Sequence, residues 1–345
     1  MNSSSPKNED GSHSIRPHLD LSIVIATYER QAELEDCLNS ILRQLEPPKE
    51  VLIVDDSKTA RVRIVYSNKY SDFETAGVAL RYRRTGRAPS LTVARNLGAR
   101  ESIGDVVLFL DDDVLLDEDF VRELMDTYRQ RSDVKGVQGW WLHGFKPSWS
   151  FLLQNLFYKA FWLFSYSKWT CDVLCRFAQT YPLELAEDTI CHWMSGCNQS
   201  YLRSILMEFK FDENMRGYAF GEDLDFSVQV DQKYPLSLII TPRARITHRA
   251  WQAGPNLSQE QTLMQFVYPR YLFYKFGSDD RKNQTLFSWS ELGRLLLLAL
   301  MVGGNRLANL RNAMASFIFC RRHLKDLRKQ KLDFLDRILD PDKFT

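Results

Sequence analysis

The chain has 345 residues, 44% hydrophobic and 26% charged, with a net charge of only +1. That length can bury a sizeable core in one large domain with an appendage, and the near-neutral balance provides no general field for nucleic acid or for acidic partners. The six scattered cysteines (Cys37, Cys171, Cys175, Cys191, Cys197, Cys320) argue for reduced thiols in a cytosolic setting rather than a disulfide framework, and Cys171 and Cys175, without a second such pair, read as buried thiols rather than metal ligands.

In chain order, Met1–Leu19 is rich in Ser, Asn, Asp and His and lacks the apolar stretch of a signal peptide, so residues 1–18 are expected to form a disordered tail. Leu21–Thr27 (LSIVIAT) reads as a strand ending in a small polar turn. Leu34, Cys37, Leu38, Ile41, Leu42 and Leu45 then recur at helical spacing, and Glu50–Asp56 (EVLIVDD) is a second strand ending in paired aspartates. This is a βαβ unit. Ile103–Asp113 (IGDVVLFLDDD) carries another apolar run, Val106–Leu110, into three consecutive carboxylates. Parallel sheets place ligand groups beyond the carboxyl ends of their strands, which is where Thr27, Asp56 and Asp111–Asp113 fall. Three adjacent anions repel one another and need a cation; oxygen ligands there suit Mg²⁺ or Mn²⁺ holding a nucleotide diphosphate. Taken alone, the motif is equally a solvated acidic turn.

Beyond this half, a helix is expected over Glu118–Arg131 and a strand over Val134–Leu142. Trp140–Trp169 is crowded with aromatics at helical spacing, read as a partly buried lid or packing helix, with a sugar-stacking or membrane-touching surface as the alternative. Met194–Ser200 and Tyr201–Glu208 lead to GEDLDF at a helix start, and Leu236–His248 reads as a strand and its exit. From Ser258 the chain turns helical and increasingly basic. Its apolar run Leu295–Val302, ended by Gly303–Gly304, is far short of the roughly 20 residues that cross a bilayer. Those helices either pack on the core or attach to an anionic membrane face, and without a Cys/His array, basic zipper or aromatic RNA signature they are not a nucleic-acid module.

Five ordered motifs carry a specific resemblance: ATYER (Ala26–Arg30), VDDS (Val54–Ser57), ARNLGAR (Ala94–Arg100), FLDDD (Phe109–Asp113) and GEDLDF (Gly221–Phe226). Over roughly residues 20–250 the chain resembles the family-two inverting glycosyltransferases of the GT-A fold. The resemblance implies an α/β, Rossmann-like, mostly parallel mixed sheet flanked by helices over residues 19–255, with a C-terminal helical appendage over 256–345. It also implies metal-dependent transfer of a sugar from a nucleotide-diphosphate donor to a hydroxyl acceptor, a glycan or lipid-linked glycan, in cell-surface polysaccharide or glycolipid assembly. The enzyme would be cytoplasmic, with an anionic membrane surface as a further partner.

Carried over residue by residue, Asp113 coordinates Mn²⁺ or Mg²⁺, with His248 in ITHRA near the metal or else a satisfied core histidine. Asp111 and Asp112 contact ribose or metal-bound water. Asp56 bonds the uracil imide, and Ala26, Thr27 and Tyr28 line the base pocket. Arg30 and Arg95 meet phosphate or are simply solvated. Asp223 is the general base, because an inverting displacement needs a carboxylate opposite the leaving group. Glu222, Asp225 and Trp193 support it or the acceptor; an acidic helix N-terminus favoured by the macrodipole is the plain alternative for these carboxylates.

Two departures qualify the resemblance. Ala88–Thr92 lacks the glycine-rich form common ahead of the ARN segment, and the QxxRW marker of processive synthases is absent, Trp251–Gln252 being no substitute. Addition of one or few sugars is therefore expected. The rival classes are a haloacid-dehalogenase-like phosphatase, whose acidic motifs appear here in reversed order, and a non-catalytic sugar-nucleotide or glycan-binding module.

Overall fold

The computed structural model describes residues 18–335 apart from 143, 176, 250–257, 278–279 and 301–305, together with residue 338; the side chains of 299, 300 and 306 are not described. Residues 1–17 of the expected tail, Trp251–Gln252 and Gly303–Gly304 therefore lie outside the described residues.

Strands β1 (Leu21–Thr27), β2 (Glu50–Asp55), β3 (Ala79–Arg84) and β4 (Val106–Asp111) form the parallel half of the main sheet, in the order β4, β1, β2, β3. Helices α1 (Gln31–Leu42), α2 (Arg61–Thr75) and α3 (Leu91–Glu101) make the crossovers. The near-continuous Val, Ile and Leu of β1, β2 and β4 reflect burial on both faces, which crossover helices impose. The short β5 (Val114–Leu116) follows the three aspartates, then α4 (Phe120–Gln130) and β6 (Gly136–Trp140). Both fall inside the spans expected from sequence, trimmed by a residue or two at each end.

The aromatic segment is less uniform than its spacing predicts. Only α5 (Trp149–Ala160) is helical; β7 (Ser165–Ser167), β8 (Val173–Leu174) and β9 (Ala178–Pro182) then form a separate small sheet in the order β7, β9, β8. The chain leaves the helix at Trp162, whose φ of 52° no helix accommodates.

β10 (Thr189–Ile190), β11 (Gln199–Leu202), α6 (Arg203–Glu208), α7 (Glu222–Lys233) and β12 (Leu238–His248) complete the main sheet and its flanking helices. β11 lies antiparallel between β4 and β6, and β12 runs parallel to β6, so the sheet is mixed but mostly parallel. The far end of β12 pairs with β5, setting His248 opposite Val114 and beside the aspartates.

Helices α8 (Gln259–Lys275), α9 (Arg281–Leu300), α10 (Arg306–Arg322) and α11 (Leu324–Arg328) follow. A Ser258–Gln261 capping box starts α8. Leu263, Met264, Phe266, Val267, Tyr268, Tyr271 and Leu272 of α8 belong to the same hydrophobic core as the sheet. Arg270 of α8 and Glu291 of α9 form a buried ion pair. No described helix is long and apolar enough to cross a membrane.

Candidate functional site

Sheet register builds the site. Ala26 stands opposite Asp111, and Thr27 opposite Asp55, so the carboxyl ends of β1, β2 and β4 finish side by side. Two hydrogen bonds to each then distinguish the paired aspartates. Asp55 is fully buried, accepting from the Tyr82 hydroxyl (2.6 Å) and the Ser57 amide (2.7 Å), which makes it a brace for the turn. Asp56 projects from the strand end, accepting from the Thr85 hydroxyl and from the Ser90 amide (2.9 Å). Burial raises its pKa despite both donors.

The three consecutive aspartates diverge. Asp112 turns toward β1, accepting from Thr27 Oγ1 at 2.8 Å and Arg30 Nη1 at 3.1 Å, and burial pushes it up to about 7. Asp113 also accepts from Arg30, at 2.9 Å. Asp111, Asp113 and His248 each offer one ligand atom, all within 4.8 Å of one another. Asp113 Oδ1 is buried without a hydrogen-bond partner, although His248 Nε2 stands 3.2 Å away. Burial opposes charge on Asp113, but His248 and Arg30 outweigh it and hold the carboxyl below its usual range. Burial likewise opposes charge on His248, and Asp113 with Asp111 overcomes it.

Arg95 connects this cluster to GEDLDF. Expected to meet phosphate or solvent, it is buried, donating to Glu222 Oε1 (2.5 Å), Asp111 Oδ1 (3.2 Å) and the Gly196 carbonyl (2.9 Å). Gly196 leaves room for this approach: a Cβ there would stand 3.0 Å from both the Arg95 guanidinium and Glu222, close enough that they would have to shift. The Gly196 amide donates to Asp223 Oδ2 at 2.9 Å, and the Leu224 amide to Oδ1 at 2.7 Å, fixing the carboxylate at the first turn of α7. Gly221 before it adopts φ 91°, a left-handed conformation that favours glycine. Burial and the adjacent Asp223 push Glu222 up to about 8 against the pull of Arg95, and burial raises Asp223 as well.

Two proposed supporting residues lie elsewhere. Asp225 is fully buried and faces away to Lys275 (2.8 Å) on α8. Lys275 also bonds Asp212 (2.7 Å), so these two contacts fasten α8 to α7 and to the segment before it. Trp193 is buried with its indole N–H on the Thr180 carbonyl (3.0 Å) and its ring edge-on to Phe164 and Tyr181, so it packs the small sheet and presents no face to an acceptor. Tyr28, by contrast, is exposed beside the strand ends. The residues missed in the sequence are Gly196, Lys275 and Asn96, whose amide braces the Phe211 backbone in both directions. Only Asn96, inside the ARN segment, had a local signal.

A family model described as Glycosyl transferase family 2 matches residues 22–207, more than half of the chain. An uncharacterised glycosyltransferase of Haemophilus influenzae is 42% identical over 93 residues, 27% of this chain and 29% of that protein. The glucosyl-dolichyl phosphate glucuronosyltransferase of Haloferax volcanii is 31% identical over 121 residues, 34% of this chain and 37% of that protein. The matched part thus spans well under half the length of these curated relatives. Among solved structures, a mannosyltransferase from Pyrobaculum calidifontis in complex with GDP-Man and Mn²⁺ aligns over 92% of this chain and 79% of its own, with a TM-score of 0.48 at 14% identity.

Proposed function

The chain belongs to glycosyl transferase family 2, and from that premise we propose that it transfers a sugar, with inversion, from a UDP- or TDP-sugar to a hydroxyl acceptor in a reaction dependent on Mn²⁺ or Mg²⁺. The observation that carries this reading is the convergence of Asp111, Asp113 and His248 within 4.8 Å. Two carboxylate oxygens and one imidazole nitrogen suit such an ion, and the buried Oδ1 of Asp113, which accepts no hydrogen bond and faces His248 Nε2 at 3.2 Å, is an acceptor left for it. His248 is therefore read as a ligand, and Asp111 joins Asp113 in holding the metal. When bound, the cation supplies Lewis-acid stabilisation of the departing diphosphate.

The chain's own groups do the rest. Asp223, oriented by two backbone amides, takes the acceptor proton as the hydroxyl attacks; a carboxylate whose pKa is raised by burial is better matched to that task than an ordinary one. Arg95 balances Glu222 and Asp111, keeping the base and metal carboxylates in one compact array. Asp56 accepts the imide N–H of uracil or thymine, with Ala26, Thr27 and Tyr28 beside the ring. Arg30, which bridges Asp112 and Asp113, is placed to meet donor phosphate. The acceptor is read as a glycan or lipid-linked glycan, in line with the activity named for the Haloferax relative. No observation favours the phosphatase or the binding-module reading.

The test is a thermal-shift panel of UDP-, TDP-, GDP- and CDP-sugars with Mn²⁺, Mg²⁺ or chelator, because a ligand preferring the native state stabilises it by mass action. Cation-dependent stabilisation by a uridine or thymidine donor supports the proposal. A response to none of these donors, or one indifferent to the cation, overturns it.

A further inference from the structure

Three helices outside the site turn some of their largest apolar side chains outward while burying polar ones. In α5 the only buried residue is the amide Asn155, 6% exposed, whose side chain pairs in both directions with the Tyr166 backbone (2.9 and 2.7 Å). Four of its apolar residues point the other way: Trp149 is 83% and Leu156 64% exposed, with Leu152 and Leu153 completing a stripe at helical spacing, while Phe151 packs against the core. In α9, Ser290 and Glu291 are buried beside Phe287 and Leu298, while Trp289 and Leu292 are exposed. In α10, Ser316 is buried, and Leu307, Leu310, Met314 and Ile318 form an exposed stripe three, four and four residues apart. A water-facing helix normally shows the reverse.

These helices meet. Phe161, just past α5, stacks on Trp289 at 4.7 Å, the Trp289 indole N–H donates to the Ala160 carbonyl (2.8 Å), and Gly293 of α9 lies against the Phe161 ring. The charge pattern is equally one-sided. No Asp or Glu occurs between Asp133 and Asp172, nor between Glu291 and Asp326, while Lys146, Lys159, Arg311, Arg321, Arg322 and Lys325 fall within those spans and are exposed or partly so.

We propose that the outward faces of α5, α9 and α10 seat the protein in the headgroup–acyl boundary of an anionic lipid bilayer, without crossing it. Tryptophan and leucine on one face with flanking cations is the composition of an interfacial helix. Acid-free flanks complement anionic headgroups, each cation near the surface strengthening binding roughly fivefold. The attachment therefore extends beyond the basic C-terminal helices to α5, which precedes the catalytic carboxylate in the chain. It does not rest on the donor or acceptor assignment.

Co-sedimentation of the full-length chain with vesicles of equal parts phosphatidylglycerol and phosphatidylcholine, against phosphatidylcholine alone, tests this at low and high salt. The chain should bind the anionic vesicles, more weakly in high salt. The triple variant Trp149→Ser/Leu153→Ser/Leu156→Ser should lose about tenfold or more in affinity with an unchanged melting profile, since these side chains are exposed. Should the triple variant fail to fold, Trp149→Ser alone, at the most exposed of these positions, must still weaken binding. Absence of wild-type binding to anionic vesicles, or variants that bind as tightly as the wild type, overturns the proposal. A concentration-dependent dimer abolished by the same substitutions, with no vesicle binding, assigns the face to a second copy of the chain and overturns it too.

Discussion

Arg95 Nη1 donates to Glu222 Oε1 at 2.5 Å, joining two side chains 127 positions apart in a fully buried pair. Through this contact α3 and α7 share one electrostatic unit, which Asp111 enters from β4. Removing one partner of a buried pair leaves the other charge uncompensated. Arg95→Ala should therefore destabilise the fold by about 3–5 kcal/mol, read as a lower urea midpoint. An unchanged midpoint would show that Glu222 and Asp111 need no such cation.

Asp223→Asn preserves shape and one of the two backbone contacts, since only its amide oxygen can accept, but removes the proposed base. Turnover should fall about 10²-fold or more, while the donor-induced thermal shift persists. Transfer near the wild-type rate by the folded variant would take Asp223 out of the mechanism.

Asp113→Ala and His248→Ala each remove one member of the 4.8 Å cluster. Calorimetry with UDP and Mn²⁺ should show metal-dependent affinity abolished in the first and weakened in the second. Retained affinity in Asp113→Ala would refute its role as a ligand.

Asp56 predicts base choice. Its carboxylate can accept the imide N–H of uracil or thymine, whereas cytosine presents an unprotonated ring nitrogen. Asp56→Ala should lose uridine affinity selectively, and tight CDP-sugar binding with no response to UDP or TDP would contradict the assignment.

Lys275→Met tests the link between α8 and α7, with a defined pH signature. Burial raises Asp225 to about 6 from the ordinary aspartate value of 3.8. A carboxyl with a raised folded-state pKa favours folding in its protonated form, so this group's stabilising contribution is present below about 3.8 and is lost as pH rises through about 6. Without Lys275 that loss should deepen, to about 3–5 kcal/mol near neutral pH, and largely recover on acidification toward pH 4. Denaturant titrations at both pH values check it; a deficit independent of pH would place the defect in packing instead.

Local pattern was enough to reveal the βαβ start, the mixed α/β class, the acidic strand ends and the helix opening at Glu222, because strand alternation, helical spacing and terminal carboxylates are written within a few neighbouring residues. The family motifs added their order. Only the folded chain decided which aspartate does what. Asp55 is a brace because Tyr82 arrives from the neighbouring strand, and Asp112 turns to Thr27 while Asp111 joins His248 across the sheet. Arg95, Trp193 and Asp225 read as site residues from their neighbourhood in sequence. Their partners Glu222, Thr180 and Lys275, which make them a buried connector, a packing ring and a helix fastener, lie 127, 13 and 50 positions away. The outward stripe of α5 was likewise undecidable beforehand, since helical periodicity shows that a face is apolar but not whether it turns to the core or to the surroundings.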